Sequence, residues 1–279
     1  VENRCLCVTI GEEVAVFPPG DLGVVILESR QATITSSALS LLCASGTSVI
    51  SCDERHMPIG IATPVGIHYE MRPLLDLQIA ASKPLLKQLW RAIVMAKIEN
   101  QSAVLSLAGR SDSELAKMPS CVRSGDATNR ESVAASIYFR SLICEGTRRD
   151  SEYTAFLDYG YAVIRAAVAR ELVAHGFAPQ LGIHHRNSRN AYALADDLME
   201  PYRPFVDLLV FAEAPAAFDA AARRRLASVL ESVAVLEGQR TLVQSSIEAS
   251  VESLRRALEK GDPGELLLPE IEVLDRPGI

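Results

Sequence analysis

Residues 182 to 204 read GIHHRNSRNAYALADDLMEPYRP and set two adjacent histidines, His184 and His185, a short distance ahead of Asp196, Asp197 and Glu200. Asp197 and Glu200 are three apart, a spacing that on one helix puts both carboxylates on one face with Cβ atoms roughly 5–6 Å apart. Like charges that close repel unless solvent, a basic neighbour or a metal offsets them. One imidazole with two carboxylates is a mixed nitrogen and oxygen donor set that suits Mn²⁺ well and Mg²⁺ acceptably, with positions left for water and a substrate oxygen. Consecutive side chains point apart, so at most one of the two histidines joins such a set. The plain alternative is a solvated helix face in which these carboxylates pair with Arg203, worth about 0–1 kcal/mol.

Glu131, in GDATNRESVAAS, is the third acidic candidate. Thr128-x-x-Glu131 fits a capping box, in which the glutamate folds back onto the N-cap amide. A glutamate in the first turn of a helix can also face inward. The spacing leaves both readings open.

The elements that must position these groups fall into two kinds. From residue 1 to about 70 the pattern is short and β-rich: CLCVTI, VAVF, VVILES, TSVISCD and MPIGIAT, separated by Gly, Pro and acidic turns. One short helix, ITSSALSLLCASG, interrupts them, with Thr35 or Ser36 as N-cap and Gly46 at its end. Beyond Arg72-Pro73 the apolar periodicity lengthens and becomes helical. This predicts an α+β protein, with a small β-rich N-terminal domain over 1–71 and a larger all-α C-terminal domain over 72–279.

Within the helical part, KPLLKQLWRAIVMAKIENQSAVLSLAGR carries Leu86, Leu89, Ile93 and Ala96 on one stripe, with Pro84 suited to a first turn. Residues 109–127 read as a loop. TNRESVAASIYFRSLICEG and SEYTAFLDYGYAVIRAAVARELVAHG read as helices that close on glycine. FDAAARRRLASVLES predicts another helix, VAVLEGQRTLV a hairpin around Glu237-Gly238, and SSIEASVESLRRALEKG a last helix. The Pro-rich tail from Asp262 is expected to be loosely held.

The 279 residues are 48% hydrophobic and carry a formal charge of -7, so a sizeable core is expected and any polyanion surface must be a local patch. Trp90, Tyr159 and Tyr161 sit at helical spacing and read as core. No apolar run is long enough to span a membrane and no secretory signal opens the chain, so a cytoplasmic location with no membrane partner is expected. Val1 in place of Met leaves room for a missing opening strand. The six cysteines lack C-x-x-C spacing; four sit in apolar runs where a reduced thiol behaves as a small hydrophobe, and Cys5-x-Cys7 reads as two buried thiols on one face of a strand rather than a metal pair.

Taken together, GDATNRESVAASIYF, LGIHHRNSRNAYALADDLMEPYRPFVD and TITSSALSLLCASGTSVISCDERHMPIG resemble the CRISPR-associated integrase numbered one in that nomenclature. The resemblance runs from about residue 5 to 259, and its wording is closest to the branch that accompanies single-protein effector nucleases, the type II systems. The helix-opening glutamate, the G-x-x-H element and D-L-M-E-P-x-R-P occur in the family's order. The resemblance implies that Glu131, His185 and Glu200 bind Mn²⁺ or Mg²⁺ and that Asp197 lines the same pocket as a fourth catalytic residue. His184 falls where the family is usually apolar, which favours His185 as the ligand.

The resemblance further implies a β domain followed by a helical one, and a homodimer, two copies of which clamp a dimer of the small CRISPR-associated protein two. It implies double-stranded DNA as substrate, both an incoming fragment and the CRISPR repeat. The reaction is attack by a DNA 3′-hydroxyl on a phosphodiester, and hydrolysis when water attacks instead. Phosphate neutralisation then falls to clusters drawn from Lys83, Lys87, Arg91, Lys97, Arg148, Arg149, Arg186, Arg189 and Arg203. The Asn100-Gln101 amides could touch DNA or a partner, or serve helix packing. A hydrolase of a small substrate and a helical scaffold without catalysis are the competing expectations.

Overall fold

The structure is a computed structural model that describes residues 1, 3–29, 31–54, 57–62, 71–143, 153–213 and 217–273. Cys144, Arg148 and Arg149 lie outside the described residues.

The chain opens with an antiparallel hairpin of β1 (Leu6–Ile10) and β2 (Glu13–Phe17), turning at Gly11 with φ 62. β3 (Val24–Leu27) then pairs parallel with β4 (Ser48–Cys52), which pairs antiparallel with β5 (Pro58–Ala62). A parallel pair needs a crossover, and α1 (Ser36–Ala44) supplies it. Thr35 caps that helix, its Oγ1 accepting from Ala38 N at 3.2 Å. Alternation along β4 divides the two cores. Val49 packs with Leu6, Ala38 and Leu42 in a small cluster, while Ile50 is also buried and β4 lies against the helical body.

From Met71 onward, apart from one hairpin, the described residues build helices and helical turns. α2 (Met71–Ala80) precedes α3 (Lys83–Leu107), which starts on the Ser82 cap with Pro84 in its first turn. Arg72 and Pro73, where the change of character was expected, are the second and third residues of α2. α3 is the central post: Leu89, Ile93, Val94, Ile98 and Leu105 have no exposure. Against it pack α4 (Arg130–Leu142) and α7 (Arg203–Glu213). Residues 109–127 are more ordered than a loop. They form 3₁₀ turns at Leu115–Lys117, Pro119–Cys121 and Ser124–Asp126, which seat Leu115, Met118 and Val122 in the main core.

α5 (Thr154–Ala174) is buried on most sides, contacting α7, the short α6 (Ala193–Leu198), α8 (Ala220–Ala227) and α9 (Val243–Lys260). The helix expected over 218–232 ends earlier, at Ala227, and continues as a 3₁₀ turn over Ser228–Glu231. β6 (Val233–Leu236) and β7 (Gln239–Leu242) form the expected hairpin, with Glu237 (φ 50) and Gly238 (φ 75) supplying the two left-handed residues of a tight turn. Arg223, on α8, is buried and reaches Glu28 Oε2 at 3.0 Å. Tyr159 donates to the other oxygen of Glu28 at 2.6 Å. Glu28 thereby ties the end of β3 to α5 and α8.

The tail is not loose as far as residue 273. Glu270 pairs with Val235, and Leu266 and Ile271 are buried. Asn100 holds it directly, donating to Pro269 O at 2.9 Å and Pro201 O at 2.8 Å and accepting from Ile271 N at 2.9 Å. Asn100 is therefore a packing amide with its hydrogen bonds filled from within the chain. Cys5, Cys7, Cys43 and Cys52 are free thiols that are half-buried rather than buried, and the free thiol of Cys121 is exposed. Trp90, Tyr159 and Tyr161 are core residues, as expected. Among the described residues no helix is long and apolar enough to cross a membrane.

Candidate active site

Glu131 sits in the first turn of α4. Its backbone does not need its own side chain for a cap, because Asp126 does that work. Asp126 Oδ1 accepts from Arg130 N at 2.7 Å and Oδ2 from Glu131 N at 3.0 Å, reaching forward across Asn129, which is left-handed at φ 52. The Thr128-x-x-Glu131 capping box does not form. The Glu131 carboxylate turns inward to α3 instead and accepts from Lys97 Nζ at 2.7 Å.

Glu200 comes to the same ammonium from another direction. α6 ends at Leu198, and the chain passes through a 3₁₀ turn over Glu200–Tyr202 before α7 begins. That break separates Asp197 from Glu200, so the two do not act as neighbours on one continuous helix. Glu200 Oε2 lies 2.5 Å from Lys97 Nζ, and Oε1 lies 2.9 Å from Arg203 Nε. Burial alone would push the Glu200 carboxyl up, but Lys97 and Arg203 hold it below the ordinary value of 4.5. Burial likewise disfavours the Lys97 ammonium, yet Glu200 and Glu131 hold it above its ordinary 10.5. Behind Arg203 the guanidinium rests 4.8 Å above the Tyr161 ring. The Tyr161 hydroxyl donates to buried Asp207 at 2.5 Å, and Tyr138 donates to the same carboxylate at 2.9 Å.

The histidine loop is built around Asp197, which has no exposure. Asp197 accepts the backbone N–H groups of His184 at 2.9 Å and His185 at 3.2 Å, and its Oδ1 lies 2.6 Å from His185 Nδ1. This hydrogen bond, more than any other influence, holds the His185 imidazolium form above the ordinary 6.5, against the opposing effect of burial. The neutral ring bonded this way carries its proton on Nδ1 and leaves Nε2 for coordination. Gly182 makes the approach possible: a Cβ there would lie 2.3 Å from His185 O and 2.9 Å from Asp197 Oδ2. His184 is exposed but not loose, since its ring stacks on buried Trp90 with centroids 4.3 Å apart and an interplanar angle of 4°. Trp90 also meets His185 edge-on at 5.8 Å.

Of the expected residues, Glu131 and Glu200 are thus brought to a single point, and His185 is held by Asp197 rather than by either glutamate. Among the described residues no three of His, Cys, Asp and Glu gather closely enough to enclose a metal ion. The donor chemistry nevertheless fits a divalent ion. Two carboxylates from separate elements converge on one cation, Lys97, and the positive charge of protonated His185 adds a smaller pull that lowers the Glu200 carboxyl. Sequence reasoning placed Lys97 and Arg203 in a phosphate patch, and both are instead inside this ion-pair cluster. Arg91 is committed to Val122 O at 2.8 Å. Lys83, Lys87, Arg186 and Arg189 remain exposed. A groove of about 490 Å³ runs past His185, lined also by Lys83, Arg186, Phe177, Leu254 and Leu258.

Solved structures with this fold include a casposase bound to its integration product, which covers 99% of this chain and 92% of that one with TM-score 0.79 at 18% identity. Another is a Cas6-RT-Cas1–Cas2 complex, covering 95% of this chain and 34% of that one with TM-score 0.73 at 18% identity. The fold class is that of these proteins: a small β-rich N-terminal region followed by a mostly helical one. The model of the family described as CRISPR associated protein Cas1 matches residues 1–215. The CRISPR-associated endonuclease Cas1 of Neisseria meningitidis serogroup C (strain 8013) is 36% identical over 280 residues, covering 97% of this chain and 92% of that protein. The chain belongs to the Cas1 family.

Proposed function

We propose that this protein is a metal-dependent DNA integrase and endonuclease of CRISPR adaptation, of the type II branch. It inserts incoming DNA into the CRISPR array by attack of a DNA 3′-hydroxyl on a phosphodiester of the repeat. The observation that carries the reading is the convergence of Glu131 and Glu200, from α4 and the turn ahead of α7, on one cationic point. The endonuclease named for the Neisseria relative and the integration product bound by the casposase support the same chemistry.

Glu131, Glu200 and Nε2 of His185 would hold Mn²⁺ or Mg²⁺, with Asp197 orienting the imidazole. Such an ion supplies Lewis acidity at a phosphodiester oxygen and lowers the pKa of the attacking hydroxyl. When His185 is neutral, the bond to Asp197 keeps the ring proton on Nδ1 and leaves the Nε2 lone pair free. Arg203 lies 2.9 Å from the other oxygen of Glu200 and balances part of that carboxylate's charge. In transfer, the 3′-oxygen of the incoming strand bonds to phosphorus, the repeat's bridging oxygen leaves with the electron pair, and the proton of the attacking hydroxyl passes to solvent. With water as nucleophile the same geometry hydrolyses the strand.

Double-stranded DNA is the substrate, and exposed Lys83, Lys87, Arg186 and Arg189 offer it local positive charge on an otherwise acidic chain. The homodimer finds support in the β1–β2 hairpin, where Ile10, Val14 and Val16 are 75%, 60% and 56% exposed. A small Cas2 protein, named in the complex that shares the fold, is the partner, and two such dimers around one Cas2 dimer make a heterohexamer. Incubating the purified chain with branched DNA and Mn²⁺ tests the reading: strand transfer or cleavage is expected, and its loss in Glu131→Ala, His185→Ala and Glu200→Ala. Absence of any product from the unaltered chain overturns it.

A further inference from the structure

Lys97 is the unexpected member of the site. Its Nζ is 2.7 Å from Glu131 Oε1 and 2.5 Å from Glu200 Oε2, and the side chain is 10% exposed. A divalent ion bonded to the same two oxygens at roughly 2.0–2.2 Å would have its centre close to where the ammonium nitrogen now stands. The two cations cannot share that position.

Charge makes the exclusion stronger. Glu131 and Glu200 are balanced by Lys97 and Arg203, so the cluster without metal is already neutral. Buried Glu200 and half-buried Glu131 left without a cation would repel, and Glu200 would carry the cost of desolvation. The ammonium relieves both, with one oxygen of each carboxylate within 2.7 Å of its nitrogen. Its stem of four rotatable carbons can withdraw it, whereas the guanidinium of Arg203 is pinned over Tyr161. Once withdrawn, the ammonium needs an anion. Exposed Lys83 and Arg186, which line the groove beside His185, mark the side from which a phosphodiester would bring one.

We propose that Lys97 is a positioning residue that competes with the divalent ion for the place between Glu131 and Glu200, and that a DNA phosphate takes the displaced ammonium. Metal binding and DNA binding are then linked, each strengthening the other. This rests on the metal-dependent reading given above.

The test is Mn²⁺ binding, followed by the paramagnetic resonance of the free ion, in the unaltered full chain and in Lys97→Met, Lys97→Gln and Lys97→Arg, with and without duplex DNA. Circular dichroism establishes that each variant is folded, and Gln keeps hydrogen-bond donors if Met leaves the carboxylates too exposed to one another. Without DNA, Met and Gln should bind Mn²⁺ about tenfold more tightly than the unaltered chain, and Arg should match it. Adding duplex should tighten Mn²⁺ binding more in the unaltered chain than in Met or Gln. Equal affinity of Met, Gln and the unaltered chain without DNA overturns the competition, and an equal gain from DNA in all of them overturns the role of the phosphate. If no form takes up Mn²⁺, the metal-dependent reading itself falls, and that outcome is distinct from equal binding.

Discussion

His185 Nδ1 lies 2.6 Å from Asp197 Oδ1, joining a 44% exposed imidazole to a carboxylate with no exposure. The pairing fixes which ring nitrogen faces outward. In Asp197→Asn the amide can donate to Nδ1, which moves the ring proton to Nε2 and removes the coordinating lone pair. Mn²⁺ affinity should fall by about 10–100-fold. The remaining amide oxygen still accepts from His184 N, but the His185 amide loses its acceptor, which should cost about 1–3 kcal/mol of stability. Mn²⁺ titration together with urea unfolding checks both, and unchanged Mn²⁺ affinity contradicts the orienting role.

Cap and ligand are separable at the start of α4. Asp126 accepts the amides of Arg130 and Glu131, whereas the Glu131 side chain faces Lys97. Asp126→Ala should therefore lose about 0.5–2 kcal/mol in denaturant unfolding while strand transfer persists below its melting temperature. Glu131→Ala should keep those two amide bonds and lose strand transfer. The reverse pattern would return Glu131 to a capping role.

These two cases show what was legible in the sequence. Thr35 was readable as a cap because its oxygen meets an amide three residues on, the local geometry on which the rule rests. Asp126 was not, since its reach runs four and five residues forward across a left-handed Asn129 that no spacing rule anticipates. The β-rich start and helical remainder followed from periodicity alone. The tail did not: it is held by Asn100, more than a hundred residues away in sequence, and a Pro-rich composition says nothing of such a partner. Lys97 and Arg203 were legible as charges, but their pairing with Glu131 and Glu200, which buries Lys97 and half-buries Arg203, depends on three elements meeting, so a surface patch was the natural assignment. Gly182 was visible in G-x-x-H, though its reason, the close approach of Asp197 and the His185 carbonyl, appears only in three dimensions.

The ion-pair cluster makes acid stability depend on Glu200. Its folded value lies below the ordinary 4.5, so the unfolded chain binds more protons than the folded one as pH falls. The stabilisation is present above the unfolded value and is lost as pH falls through the folded one. Unfolding in urea from about pH 5 down to about pH 3 should show a steeper loss in the unaltered chain than in Glu200→Gln. Parallel curves would mean that the pair with Lys97 contributes nothing to folding. At the alkaline end the sign reverses: Lys97, raised above 10.5, stabilises fully below that value and stops doing so as pH rises through its folded value.

The central claim is that two glutamates and one histidine, from α4, the turn before α7 and the Asp197-bound loop, serve a single divalent ion. A crystal structure of the protein with Mn²⁺ and duplex DNA, recorded at the manganese absorption edge, tests it most directly. The account predicts one anomalous peak bonded to Glu131, Glu200 and Nε2 of His185, with the Lys97 ammonium moved from between the carboxylates. Manganese bound elsewhere, with Lys97 still bridging Glu131 and Glu200, would contradict it.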